Sequence, residues 1–244
     1  KITILSEAAG LPFDIDAGLN LDTQLDNRPL VLRTERNRDI FKVQETIVRA
    51  FREYMQKNSF TEYQPPALVG GDAEGGAAVF KVEYYKDKPA YLATSPQLYK
   101  QIMVGVYERV FGIGKVFRGE DHATTRHISE YSSLDFEMGF IEDHHDVMEM
   151  TKGVHTHIAN TVAREHPEIL EKFGVERAKA PKEFPALKLS EAQEIIEKEF
   201  GIKAIGEPDL EPEHERKICE WAKEKHNSDY IFITHYPVSK RPFY

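Results

Sequence analysis

Between residues 131 and 140 apolar and polar side chains alternate. Ser132, Leu134, Phe136, Met138 and Phe140 fall on one face of an extended chain, and Tyr131, Ser133, Asp135 and Glu137 on the other. The alternation predicts a strand with one face turned to a core. Residues 106–117 predict the strand that enters it, with Arg118 and Glu120, two apart, on a shared face. The two strands form a hairpin. One side is core; the other carries Arg118, the carboxylates of Glu120, Asp135 and Glu137, and the Tyr131 ring.

Elsewhere the pattern changes period. Ile40, Val43, Ile47, Ala50, Phe51 and Tyr54 recur at helical spacing and predict a helix over 35–57, with Thr34 as N-cap and Glu35 at the positive end of its dipole. A short strand and the prolines Pro65 and Pro66 follow. Residues 78–85 and 89–93 predict a hairpin around 86–88. Ser95 as N-cap and Pro96 in first position open a helix on which Gln97 and Lys100, three apart, share a face. Residues 142–173 are helical with a break near Pro167. A loop and short strand occupy 174–189. One helix runs from Ser190, with a capping box to Gln193, as far as Phe200. Another starts at Pro212 with Ile218, Cys219, Trp221 and Ala222 as its apolar positions. Residues 230–237 predict a buried strand, and 240–244 the start of another. The first 33 residues show a strand-like start at Ile2 and Ile4, then a connector whose stretches 11–16 and 21–28 look extended or turned.

The plainest view of the central hairpin is a surface element with a solvated polar face. Three features weigh against it. Its loop is long and holds Arg126 and His127, which suit an anion and not a tight turn. Glu130 and Tyr131 place a ring beside charged groups where the loop re-enters the sheet. The face could hold a flat base on Tyr131, a phosphate on Arg118 and Arg126, and an amine on Asp135. A glycine-rich loop at 70–76 suggests a hinged lid; it lacks the Gly-Lys-Ser/Thr ending of a phosphate-binding P-loop.

These motifs resemble a known family. Phe-Arg-x-Glu at 117–120, Thr-Arg-His at 125–127 and Glu-Tyr-x-x-Leu-Asp-x-Glu at 130–137 are similar to motif 2 of class II aminoacyl-tRNA synthetases, in the aspartyl branch of archaeal and eukaryotic style. The helix over 35–57 with Pro66 resembles motif 1, the family's dimer interface. Ser-Pro-Gln-Leu-Tyr-Lys at 95–100 resembles an aspartyl signature whose lysine asparaginyl relatives lack. The loop at 70–76 resembles the family's mobile loop, with Ala73 in place of its hydroxyl residue. Residues 174–177 superficially resemble motif 3 but lack its glycine-rich lead-in and apolar strand, so motif 3 is taken as absent.

The resemblance covers residues 20–244 and implies an α+β catalytic fold, mostly antiparallel sheet flanked by helices and incomplete at its C-terminal end. Residues 1–30 would be a hinge after an anticodon-binding OB domain outside this sequence. Residues 31–244 would be the catalytic domain, with a helical insertion at about 143–228. It implies a ligase that forms aspartyl-adenylate from L-aspartate and ATP, then esterifies tRNA-Asp. Charging of tRNA-Asn also is left open. Arg118 would be catalytic, bridging the α-phosphate and the α-carboxylate. Glu120 and Tyr131 would hold adenine; Arg126 and His127 the outer phosphates; Glu74, Ser95, Gln97 and Asp135 the ammonium group; and Lys100 the side-chain carboxylate. A buried lysine facing a neutral amide would disfavour it by about 10⁴-fold or more. Mg²⁺ would bridge the phosphates on ligands beyond Tyr244, where a second arginine would join Lys100; the chain by itself is therefore expected to form adenylate poorly. A homodimer through motif 1 is implied. The alternatives are an asparaginyl enzyme, a paralogue that makes an amide without tRNA, or a non-catalytic interaction paralogue, which the intact Arg118, Glu120, Arg126, Asp135 and Lys100 disfavour.

Bulk properties bound these expectations. The 244 residues are 41% hydrophobic, enough for one sizeable core. A net charge of −9 does not suggest a broadly basic nucleic-acid binder, so tRNA contact would need a local patch or a further module. The single cysteine, Cys219, excludes internal disulfides and cysteine zinc sites, and is expected to pack as a small apolar residue. No signal peptide or membrane-length apolar run is seen, which predicts a soluble, cytoplasmic protein. The chain begins at Lys1, as part of a longer one would. His155 and His157 lie about 200° apart on a helix and His144 and His145 are adjacent, so no metal site is expected.

Overall fold

The computed structural model of the chain describes residues 2–14, 18–73, 78–119, 128–178 and 180–240. Helices α1 (Leu21–Asp26), α2 (Arg28–Val31) and α3 (Glu35–Lys57) open the fold. Short strands β1 (Thr61–Glu62), β2 (Leu68–Val69), β3 (Lys81–Val82) and β4 (Ala90–Leu92) follow. Helix α4 (Gln97–Tyr107) leads into the long hairpin β5 (Arg109–Phe117) and β6 (Glu130–Met138). Then come α5 (His144–Glu165), α6 (Pro167–Lys172), β7 (Ala186–Lys188), α7 (Leu189–Phe200), α8 (Pro212–His226) and β8 (Phe232–Thr234). Three small sheets result among the described residues, in the orders β1-β5-β6, β2-β4-β3 and β7-β8. The β5–β6 pairing and both pairings of β4 are antiparallel; β1–β5 and β7–β8 are parallel. The architecture is mixed helix and sheet.

The core of the hairpin follows from its alternation. Leu134, Phe136 and Met138 pack on Phe51, Met55, Phe60, Phe111 and Val154, which seals one face of β5 and β6 against α3 and α5. Phe111 meets Phe51 edge-on, with ring centres 5.7 Å apart, and Phe136 meets Phe60 edge-on at 5.8 Å. Burying each such ring contributes about 1.5–3 kcal/mol. Helices α3 and α5 approach at Gly153, where a side chain would collide with Tyr54 Oη. The ion pair Arg49–Glu165 ties the same helices together, and Lys172–Asp39 (2.8 Å) ties α3 to α6. A second apolar cluster forms where α7 and α8 cover β7 and β8.

Several expectations are corrected. Residues 21–28 are helical, because Asn20 accepts from Thr23 N at 2.8 Å as an N-cap and Pro29 stands in the first turn of α2. Ile2 and Ile4 lie in no strand. Residues 106 and 107 belong to α4, and the entering strand starts at Arg109. Phe140, expected on the core face, is 90% exposed: β6 ends at Met138 and Phe140 takes a φ of 56°. Helix α7 starts at Leu189, with Glu191 accepting from Lys188 N at 2.8 Å, while Gln193 is buried and bonds Glu207 O instead. Cys219 is exposed; Ile218 and Ala222 hold the inner face of α8, with Trp221 at its edge. β8 is three residues long and half-buried. Residue 240 ends a short 3₁₀ turn, and 241–244 lie outside the described residues.

Candidate active site

The polar face of the hairpin is positioned by register. Gly112 pairs with Asp135, Gly114 with Ser133 and Val116 with Tyr131, so Tyr131, Ser133, Asp135 and Glu137 rise from the side opposite the core. Pairing continues one residue past β5: Arg118 N donates to Ser129 O at 3.0 Å. That bond brings the Arg118 guanidinium to 5.9 Å from the centre of the Tyr131 ring.

Helix α4 crosses this face. Lys100 Nζ lies 2.6 Å from Asp135 Oδ1 and 3.3 Å from Glu137 Oε2, with its side chain only 12% exposed. The helix entry is one residue later than expected: Pro96 is the N-cap, and Ser95 Oγ accepts from Gln97 N at 3.1 Å. The backbone bond from Phe117 N to Ala93 O (2.8 Å) locks this entry to the end of β5, and that from Ala93 N to Ala67 O (2.9 Å) ties it to the residue before β2. Thr94 Oγ1 donates to Asp72 at 2.7 Å and ties in the glycine-rich loop.

Four buried side-chain polar atoms here have no hydrogen-bond partner among the described residues. They are both amide atoms of the fully buried Gln97, Arg118 Nε and Tyr63 Oη. An unpaired buried polar group costs about 1–3 kcal/mol, and a ligand is one way to satisfy it. Burial, and then the charges of Asp135 and Glu137, push the Tyr63 phenol well above its ordinary value.

Of the expected site residues, the structure brings Lys100 to Asp135, Ser95 to Gln97 and Arg118 to Tyr131. Glu74, Glu120, Arg126 and His127 lie outside the described residues. Two contributors carried no role in the sequence reading. Glu137 completes the Lys100 cluster, and its place on the polar face was legible. Tyr63 was signalled only by the glycines at 112 and 114, which leave that face of β5 bare.

The paired histidines open α5 next to its N-cap, Asp143. Asp143, His144 and His145 are exposed and their ligand atoms lie within 4.8 Å of one another. Asp143 already accepts from His145 N at 2.7 Å as the N-cap of α5, and from its ring at 2.9 Å. Those bonds explain the cluster.

The core-backed hairpin thus carries an arginine and an aromatic ring at its open end and is crossed by a lysine-bearing helix. Residues 20–244 match the family of class II tRNA synthetases (D, K and N), and the chain belongs to that family. It is 44% identical over 225 residues to an aspartate–tRNA(Asp/Asn) ligase of Thermus thermophilus, covering 92% of this chain and 53% of that protein. It is 38% identical over 240 residues to the human cytoplasmic aspartate–tRNA ligase, covering 93% and 46%. The chain thus spans about half the length of the curated relatives it matches. Among solved structures, asparaginyl-tRNA synthetase from Pyrococcus horikoshii with asparaginyl-adenylate superposes with a TM-score of 0.90 at 29% identity, covering 100% of this chain and 55% of that one. Aspartyl-tRNA synthetase from Entamoeba histolytica gives 0.78 at 31% identity, covering 97% and 45%. No helix among the described residues is long and apolar enough to cross a membrane.

Proposed function

We propose that this chain is the catalytic part of a cytoplasmic enzyme that activates L-aspartate with ATP and transfers it to the 3′ end of tRNA-Asp. One observation carries the choice of amino acid: a nearly buried ammonium, Lys100, at the floor of the polar face. The aspartate–tRNA ligases among its relatives support it. Arg118 reaches for the α-phosphate and the substrate's α-carboxylate, and Tyr131 stacks on adenine. Ser95, Gln97 and Glu74 surround the ammonium group with Asp135. Glu120 accepts from the adenine amine, and Arg126 and His127 take the outer phosphates. Such a site works by alignment and by charges aimed at the phosphoryl oxygens, with no covalent step on the protein.

The acceptor reading extends to tRNA-Asn, since relatives named for Asp/Asn are among those matched. A homodimer through α3 and Pro66 is supported by the exposed Ile40 and Phe41 on α3. Magnesium prefers carboxylate, water and phosphate oxygens. Asp135 and Glu137, the described carboxylates of this face, both serve Lys100, so the described residues do not fit the ion.

A second reading, asparagine as substrate, draws on the superposition with the asparaginyl enzyme. ATP–pyrophosphate exchange by the intact protein, with aspartate and with asparagine, separates the two. Exchange with aspartate alone is expected. Exchange with asparagine alone would replace the first reading by the second.

A further inference from the structure

Tyr63 has no part in the roles above, yet it lies in the same row of the sheet as Asp135. Thr61 and Glu62 pair with Val110 and Phe111, and Tyr63 N donates to Phe111 O at 2.9 Å, so Tyr63 comes level with Gly112. Gly112 in turn pairs with Asp135. Tyr63, Gly112 and Asp135 therefore form one row across three strands, and side chains of a row share a face. The middle position is bare, and the tyrosine ring fills it. A Cβ at residue 112 would sit 3.1 Å from Tyr63 Cε1 and 3.3 Å from Cζ. Pro65 covers Gly114 in the next row in the same way. The phenol end of the ring thus reaches over Gly112 towards Asp135.

Tyr63 is 8% exposed, and its Oη is buried without a partner among the described residues. Its raised pKa keeps the proton on, so it remains a donor. The Lys100 cluster has use for one. A single ammonium serves two carboxylates there, and an acidic substrate side chain would bring a third. Freed from Lys100, Asp135 keeps the Ser133 hydroxyl at 3.4 Å and gains the substrate's ammonium group, and a half-buried carboxylate has lone pairs left for a further donor.

We propose that Tyr63 is a positioning residue of this site: its phenolic O–H takes the Asp135 carboxylate as Lys100 turns to the acidic side chain of the substrate. The inference rests on the aspartate-activating reading above. It assigns a selective task to a residue ahead of both prolines, and it explains why residue 112 is a glycine.

The test is Tyr63→Phe in the intact enzyme, which keeps the ring over Gly112 and removes only the donor. In ATP–pyrophosphate exchange, the KM for aspartate is expected to rise about tenfold or more, as for loss of a hydrogen bond to a charged group. The KM for ATP and the unfolding midpoint are expected to hold. An unchanged KM for aspartate, or an equal rise in both KM values, would overturn the role while leaving the aspartate reading intact. A wild-type enzyme that exchanges with asparagine only, or with no amino acid, would overturn that reading and this role with it. Gly112→Ala provides a second arm, because its Cβ displaces the ring. It should raise the aspartate KM in the wild type and add little to Tyr63→Phe; fully additive effects would count against the proposal.

Discussion

Lys100 Nζ stands 2.6 Å from Asp135 Oδ1, joining the helix that crosses the hairpin to the middle of its second strand. With Glu137 at 3.3 Å the cluster carries one positive and two negative charges, so the lysine is held straight and shielded before any ligand arrives. Lys100→Met should remove the cation and leave Asp135 and Glu137 side by side. Aspartate-dependent exchange by the intact enzyme is expected to fall about 10²-fold or more. Activity within a factor of two of wild type would refute the assignment.

Arg118 is the second group whose shape matters. Its Nε is buried and unpartnered among the described residues, and its guanidinium faces Tyr131. A lysine retains the charge but loses the planar fork that spans two oxygen atoms. Arg118→Lys is expected to lower kcat for exchange about 10²-fold, with the circular dichroism spectrum unchanged. A loss confined to the KM for ATP would instead make Arg118 a simple nucleotide anchor.

Two helical glycines should respond in opposite directions to alanine. At Gly153 in α5 the new Cβ would lie 1.7 Å from Tyr54 Oη and 2.6 Å from Cζ, and the ring is wedged between α3 and α5. The gain of about 1 kcal/mol in helix propensity is outweighed by overpacking of about 1–3 kcal/mol. At Gly105 in α4 nothing lies within 4 Å, so the propensity gain stands alone. Urea midpoints should fall for Gly153→Ala and rise for Gly105→Ala.

Asp39 links pH to stability. Its carboxyl is held below the ordinary value of 3.8, first by the hydrogen bond from Lys172, with Lys172 and Lys42 adding charge and burial opposing. A folded pKa below the unfolded one means that the contribution is complete above about 3.8 and is lost as pH falls through the lower folded value. Asp39→Asn should therefore lower Tm at pH 7, and its Tm should converge on the wild type's as the pH is taken below that range. A gap that persists in acid would assign the effect to packing.

Periodicity made much of this fold legible. Ala50 and Phe51 of the predicted stripe bury down α3, with Met55 in place of Tyr54 at its end, and the alternation from 131 to 138 puts Asp135 and Glu137 on one face. It failed where a local device overrode it. Phe140 continues the alternation in sequence, yet a positive φ turns the chain out of the strand. Residues 21–28 lack an apolar stripe, and capping by Asn20 makes them helical all the same. Ile40 matches the stripe of α3 but lies on its open half, where Asp39 is buried by Lys172 instead.

The sequence by itself determined the hairpin, the helix that bears Lys100, and the residue types on the polar face, because strand and helix periods are local properties of the chain. Only the tertiary structure decided which groups meet. Lys100 and Asp135 are 35 positions apart and belong to different elements, and Tyr63 reaches the same row through a parallel pairing with β5. Register between distant strands is fixed by how their inner faces pack on a shared core, and a shift of one residue would turn Asp135 away from Lys100.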